Sequence, residues 1–310
     1  MGSTLVPMLL HEGNTVRVLD SLMYGGDSLL GSWSHSSFEF TQGDVRDRET
    51  VRDSVQDMDA IVNLAAIVGD PACARQPELA KQVNQDAALS IVEAGRQAGV
   101  SRFIFASTCS NYGRMSDPTQ LADESWELQP LSLYAETKVA VEEALLDYQD
   151  LSFCPTVLRF ATLFGVSPRM RFDLTVNEFV LEIVANGALD VFGEQFWRPY
   201  VHVRDAARAI VRVLQEPEDN IRNQVFNVGD TDQNYQKKQL VELIHPHTPT
   251  AKIDYVKREE DPRDYRVSFA KIKDSLGFAI EHTVASGIEE ISRLVESGIV
   301  ADSDQPKYRN

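Results

Sequence analysis

The sequence predicts an α/β protein built on a doubly wound parallel sheet, and three observations carry that expectation. Strand-like and helix-like segments alternate from residue 16 to residue 160. The runs "AIVNLAA" and "FIFAS" are continuously apolar, as parallel strands covered on both faces must be. The opening stretch "MGSTLVPMLLHEGNTVRVLDSL" places a helical pattern ahead of a short strand ending on an acid, which is the second half of a βαβ unit.

Taken in order, Leu5, Val6, Leu9 and Leu10 recur at helical spacing, and Gly13-Asn14 supplies a stop signal. Val16 and Val18 then alternate with Thr15 and Arg17 and end in Asp20. Next come strand "FEFTQGD", a helix from about Arg48 to Gln56, strand "DAIVNLAA" and a helix from about Glu78 to Ala98. Strand "SRFIFAST", a helix from about Ser132 to Tyr148 and strand "PTVLRFA" follow. Beyond Gly165 the regularity loosens into helix "LTVNEFVLEIVANG", strand "RPYVHV", helix "RDAARAIVRVLQ", strand "QVFNVG" and a mixed tail. That part reads as a smaller α/β lobe interleaved with the last elements of the sheet, and the polar end "ADSDQPKYRN" is expected to fray.

Composition narrows the function. A chain of 310 residues with 43% apolar content holds a sizeable core. The net charge of −17, from 30 basic and 47 acidic residues, repels polyanions and argues against nucleic acid as a partner. An anionic small ligand would need clustered arginines. The cysteines Cys73, Cys109 and Cys154 form no disulfide framework, and neither CxxC nor a His/Cys metal spacing occurs. The longest apolar run, "AIVNLAAIVG", is about half of what a membrane span needs, and no basic segment precedes an N-terminal apolar stretch. These features describe a cytoplasmic protein with no metal and no membrane partner.

One constellation carries chemistry. "SLYAETK" sets Tyr134 and Lys138 one helical turn apart on the same face. A phenol with a pKa near 10 is a poor base at neutral pH, and moving it to about 7 requires roughly 4 kcal/mol, part of which a neighbouring ammonium can supply. Strand "FIFAST" ends in Ser107-Thr108, placing a hydroxyl at the carboxyl edge of the sheet where ligands bind. The plainer readings are an exposed Tyr-Lys pair and a strand-end cap.

"FASTCSNYG", "LSLYAETK" and "LRFATLFG", in that order and spacing, resemble the extended short-chain dehydrogenase/reductases, and more narrowly their nucleotide-sugar epimerase/dehydratase branch, which includes the UDP-galactose/glucose 4-epimerases. The match runs from Gly2 to about Gly277. The resemblance implies a Rossmann-like dinucleotide-binding domain over residues 1–165 and about 199–228. A nucleotide-sugar lobe would take about 166–198 and 229–300, followed by a polar tail at 301–310. It makes Thr108, Tyr134 and Lys138 the catalytic set, with Tyr134 exchanging the proton of a sugar hydroxyl as hydride moves to or from a nicotinamide. The dehydratases of this branch carry an Asp-Glu pair directly after that Thr; here Cys109-Ser110 stands instead, which favours epimerisation or simple reduction over loss of water.

The cofactor implied is NAD. Asp20 takes the place of the acid that bonds the adenosine ribose, and Asp44 and Val45 of "GDVRD" that of the adenine turn. Leu64, Ala65 and Ala66 match the small apolar run beside the pyrophosphate and ribose, Asn84 matches a polar contact on the long helix, and Tyr134 and Lys138 complete the set. A buried helical Asn bonded to nearby backbone is the alternative for Asn84. For the substrate diphosphate, Thr108, Asn177, Arg198, Arg258 and Asp261 match family positions, with Arg263 and Arg266 as alternatives in register and Arg169 and Arg171 as further candidates. The expected activity is NAD-dependent epimerisation of a nucleotide-diphosphate sugar through a keto-sugar. A one-way reductase or dehydrogenase and a non-catalytic binding protein are the alternatives. A homodimer is expected through the segments 78–98 and 132–148, with Leu79, Val83, Ala87 and Ile91 as an apolar stripe.

Gly2-Ser3 resembles the end of the family's glycine-rich turn, so Gly2 would be its third glycine. The first strand and the first two glycines are then missing, and Met1 reads as an internal methionine of a longer chain. The consequence expected is a gap or poor pairing between "TVRVLD" and "DAIVNLAA", with weak NAD binding.

Overall fold

A computed structural model describes residues 1–115, 117, 119–256 and 263–310; Arg258 and Asp261 lie outside the described residues. In chain order the strands are β1 (Val16–Asp20), β2 (Phe38–Gln42), β3 (Ala60–Asn63), β4 (Arg102–Thr108), β5 (Cys154–Phe160) and β6 (Thr162–Phe164). They continue with β7 (Ala188–Phe192), β8 (Trp197–His202), β9 (Gln224–Val228), β10 (Asn234–Gln236) and β11 (Lys252–Val256). The helices are α1 (Gly2–His11), α2 (Arg48–Ser54), α3 (Asp70–Arg75), α4 (Pro77–Lys81), α5 (Ala88–Gln97) and α6 (Leu133–Leu146). After them come α7 (Thr175–Leu181), α8 (Val203–Gln215), α9 (Glu218–Ile221), α10 (Lys237–Ile244), α11 (Ala270–Leu276) and α12 (Val284–Glu296).

The main sheet runs β3-β4-β5-β9, every neighbour parallel. Its side chains alternate between two covered faces, as a doubly wound sheet requires. Phe103 and Phe105 of β4 pack with Val141, Leu145 and Val157 on one face, while Ile104 joins Leu158, Phe226 and Ile210 on the other. Burying each such side chain contributes about 1.5–3 kcal/mol, which makes this sheet the rigid base of the site.

β1 and β2 form a separate parallel pair, in register from Val16 opposite Phe38 to Asp20 opposite Gln42. Among the described residues no ladder joins β1 to β3, so the discontinuity expected between "TVRVLD" and "DAIVNLAA" is present. Burial reports it independently: all seven residues of β5 are buried, whereas β1 and β3 are mostly half-buried.

The smaller lobe is built on β8, which pairs parallel with β6 and antiparallel with β10, and on the parallel pair β7-β11. Val176, Val180, Tyr200, Leu240, Ile288 and Ile291 form its core. α8 and β9 return to the main sheet, α8 packing on α1 and β9 on β5.

Four local expectations are corrected. The helix read over 78–98 is interrupted by a π-turn at Gln82–Ala87 between α4 and α5, and that of 174–187 passes from α7 into a π-turn at Glu182–Asn186. Such turns let an inward side chain leave helical register. The polar end is anchored rather than frayed. A single turn at Pro306–Tyr308 puts the Tyr308 ring 6.0 Å from Phe172, and the Phe172 N–H donates to the Tyr308 carbonyl at 3.0 Å. The proposed apolar stripe is largely used inside the chain, since Ala87 and Ile91 are buried in its own core and only Leu79 and Val83 stay partly exposed. No helix among the described residues is long and apolar enough to cross a membrane.

Candidate active site

α6 packs on β4 and also contacts α3. Thr108 closes β4, and its Oγ1 accepts from the Ser110 N–H at 3.1 Å, capping the short 3-10 turn Cys109–Tyr112. The cap reading of Thr108 is therefore realised, with the residue 9% exposed at the sheet edge. α6 begins at the Ser132 cap, whose Oγ accepts from the Ala135 N–H at 3.3 Å, and this places Tyr134 in the first turn and Lys138 one turn on.

Lys138 is only 2% exposed. Its Nζ donates to the Ala106 carbonyl of β4 at 2.8 Å and lies 4.7 Å from the Phe105 ring centroid and 6.0 Å from that of Tyr134. Burial lowers its pKa to about 8, against smaller opposing effects of Glu142 and Cys73. The Tyr134 phenol moves the other way: burial, then Cys73 and Asp70, push its pKa up, while Arg171 pulls it down. The shared helix face is as predicted, but the ammonium is directed at the β4 backbone, and Arg171 is the charge that favours the phenolate.

A buried polar network that the sequence reading missed braces this edge. Arg159 of β5 forks onto Glu142 Oε2 of α6 at 2.9 and 2.6 Å, and reaches the Tyr112 hydroxyl at 3.1 Å. Glu142 Oε1 accepts from Ser107 Oγ and from Asn111 Nδ2. The only sequence signal is a charge in an otherwise apolar strand, "TVLRF". Cys109 is fully buried, its Sγ bonded to the Arg159 carbonyl at 3.2 Å and its thiol pKa raised by burial.

The dinucleotide side is mixed. Asp20 is exposed at the end of β1, with Oδ1 accepting from the Leu22 N–H at 2.7 Å. Leu64, Ala65 and Ala66 are half-buried beyond β3, and Leu64 Cδ1 lies 3.7 Å from where a side chain on Gly2 would begin. Asp44 holds Arg46 in an ion pair at 2.6 Å, and Val45 packs on the core, so the carboxylate expected at the adenine turn faces its own neighbour. Asn84 is bonded to backbone. From the π-turn its Oδ1 accepts from the Ile67 N–H at 2.7 Å and its Nδ2 donates to the Ile67 carbonyl at 3.0 Å, the backbone-bonded alternative.

Asn177, expected at the diphosphate, is likewise turned inward: it accepts from Gly165 N–H at 2.9 Å and donates to the carbonyls of Gly165 and Arg171 at 3.3 and 3.0 Å. The reason is the same at both asparagines, because a loop leaving a strand end has buried backbone groups that need partners. Arg198 on β8 is 5% exposed, 5.1 Å from the Tyr265 ring centroid. Arg169 stacks on Tyr24 at 3.7 Å and Arg171 pairs with Asp173 at 2.6 Å. Arg263 pairs with Asp70 at 2.9 Å, and the Arg266 guanidinium lies 4.6 Å from the Trp197 ring centroid.

A sequence profile of the NAD dependent epimerase/dehydratase family matches residues 1–229. The chain belongs to this family. It is an enzyme of the NAD-dependent epimerase/dehydratase type, on a Rossmann-like α/β fold, and its cofactor is NAD. Among similar proteins, this epimerase/dehydratase is 28% identical over 305 residues to the low-salt glycan biosynthesis protein Agl12 of Haloferax volcanii, covering 93% of each chain. It is 27% identical over 299 residues to a UDP-glucose 4-epimerase of Corynebacterium glutamicum, covering 91% of this chain and 88% of that one. Among solved structures, UDP-glucose 4-epimerase of Thermotoga maritima with UDP-glucose superposes with a TM-score of 0.85 at 25% identity, covering 96% of both chains. The dTDP-glucose 4,6-dehydratase of Streptomyces venezuelae, with a TM-score of 0.86 at 22% identity over 99% of this chain and 96% of that one, shows the shared fold.

Proposed function

We propose that this enzyme epimerises a nucleotide-diphosphate sugar by transient oxidation to a keto-sugar and return of the hydride. The observation that carries the reading is the Tyr134–Lys138 pair on one face of α6, beside the β4 edge where Thr108 ends the strand. NAD, when bound, accepts and returns the hydride. Tyr134 exchanges the proton of the sugar hydroxyl, Thr108 orients that hydroxyl, and Lys138 holds the cofactor ribose. Asp20, exposed at the end of β1, fits the adenosine ribose of NAD and disfavours a 2′-phosphate. The half-buried Leu64, Ala65 and Ala66 leave the cofactor a low apolar wall, with Gly2 opposite. Asn84 contributes by fixing Ile67, the next residue of that wall.

Arg198 and the segment from Arg258 to Arg266 are the proposed diphosphate grip, which a chain of net charge −17 requires. Cys109-Ser110 in place of an acidic pair favours epimerisation over dehydration, and the curated relatives described as UDP-glucose 4-epimerases make UDP-glucose the first substrate to try. We further propose a cytoplasmic homodimer, with Leu79 and Val83 at its edge. The experiment is to incubate the enzyme with NAD and a panel of nucleotide sugars, following epimer formation by chromatography and NADH by absorbance. An epimer without net NADH supports the reading; stoichiometric NADH or no product contradicts it.

A further inference from the structure

Asp70 is absorbed by none of the roles above, yet it stands where the two lobes meet beside Tyr134. It opens α3 directly after Gly69, whose φ of 97° is one that side chains rarely adopt. Its Oδ1 accepts from Ser132 Oγ at 2.7 Å, and Ser132 is the cap of the helix carrying Tyr134 and Lys138. Its Oδ2 meets Arg263 Nη1 at 2.9 Å, with both side chains about a quarter exposed. Arg263 rides on a segment pinned to the smaller lobe, since the neighbouring Asp264 Oδ1 accepts from the Trp197 N–H at 2.8 Å, next to Arg198 on β8. One carboxylate therefore bonds the first turn of α6 with one oxygen and the substrate-lobe arginine segment with the other.

We propose that Asp70 is a positioning residue for Tyr134, fixing the first turn of α6 through Ser132 and clasping the nucleotide-sugar lobe to that turn through Arg263. The proposal rests on the epimerase reading above. A carboxylate in this place does two things a neutral residue does not. It holds an ion pair across the lobes, and it presents a negative charge to the phenol. The groups facing Tyr134 are Asp70 and Cys73 from α3, Arg171 from the segment before α7, Tyr265 from the segment after Arg263, and Lys138 from its own helix. Burial, Cys73 and Asp70 raise the phenol's pKa, and Arg171 lowers it. Arg263, paired with Asp70, offsets part of that carboxylate's charge.

The test is the pH profile of kcat/KM for nucleotide-sugar epimerisation in wild type, Asp70→Asn, Arg263→Gln and Ser132→Ala. The Asp70→Asn amide keeps an acceptor for Ser132 while losing the charge and the ion pair. This variant is expected to shift the limb that reports Tyr134 acidward by about half a pH unit and to raise KM about fivefold. Arg263→Gln raises KM similarly but shifts the limb alkaline, because the Asp70 charge is left uncompensated. Ser132→Ala, which loses the cap and the hydrogen bond to Asp70 but keeps the Asp70 charge and its Arg263 pair, lowers stability and kcat without moving the limb. An Asp70→Asn profile superimposable on wild type with unchanged KM overturns the proposal while leaving the epimerase reading intact. Absence of turnover in the wild type overturns both.

Discussion

The Asn84 side chain brackets the backbone of Ile67, accepting from its N–H at 2.7 Å and donating to its carbonyl at 3.0 Å, with no part of Asn84 exposed. Leucine in its place leaves two buried backbone groups without these partners, each worth about 1–3 kcal/mol. Asn84→Leu should therefore lower unfolding free energy by roughly 2–6 kcal/mol in urea. The same variant should weaken NAD binding by titration calorimetry, because the wall at Leu64–Ile67 loses its anchor. A stable variant with unchanged NAD affinity contradicts the assignment.

Lys138 carries a stability penalty with a defined pH window. Its folded pKa of about 8 lies below the ordinary value of 10.5, so between those values the unfolded chain binds more protons and this residue's contribution to stability rises with pH. At pH 7 the buried ammonium costs on the order of 3 kcal/mol. Lys138→Met should thus be more stable than wild type at pH 7, and the gain should shrink as pH rises from 8 toward 10.5. Urea unfolding at pH 7, 8.5 and 10 measures it; a gain that grows with pH contradicts the sign.

How much of this was legible beforehand follows from where the signal resides. The sheet was legible because "FIFAS" and "AIVNLAA" write two-sided burial directly into their apolar runs, and the split beside β1 followed from a helix pattern preceding "TVRVLD". Tyr134 and Lys138 share a helix face because spacing alone puts them there. Where the Lys138 ammonium points was not legible, since that depends on the Ala106 carbonyl, 32 positions away in sequence. Asn84 takes the backbone-bonded alternative and Asn177 turns inward for a related reason. A polar residue inside an apolar helix announces a partner but not whether that partner is ligand or backbone. The Asp70–Arg263 clasp and the Glu142–Arg159 pair join distant segments, and no local pattern records them.

The Glu142–Arg159 pair predicts a sharp asymmetry. Both side chains are at most 5% exposed and 2.6 Å apart, so Glu142→Gln strands a buried guanidinium at a cost of about 3–5 kcal/mol. Replacing both by apolar residues of similar volume should recover much of that loss. Thermal unfolding of the two variants checks it, and equal losses in both would contradict it.

Asp20 should set dinucleotide choice. Its carboxylate is exposed at the end of β1, where a 2′-phosphate would meet like charge. Asp20→Asn should narrow the preference for NAD over NADP at least about tenfold, read as the ratio of dissociation constants. An unchanged ratio contradicts the placement.

The most direct test of the central claim is turnover by Tyr134→Phe on the nucleotide sugar that the wild type turns over, with circular dichroism and nucleotide-sugar affinity measured in parallel. Only the phenolic oxygen is lost, so fold and affinity should stay near wild type while turnover falls about 10²- to 10⁴-fold. Retention of more than about a tenth of wild-type turnover, with the fold intact, would contradict the account.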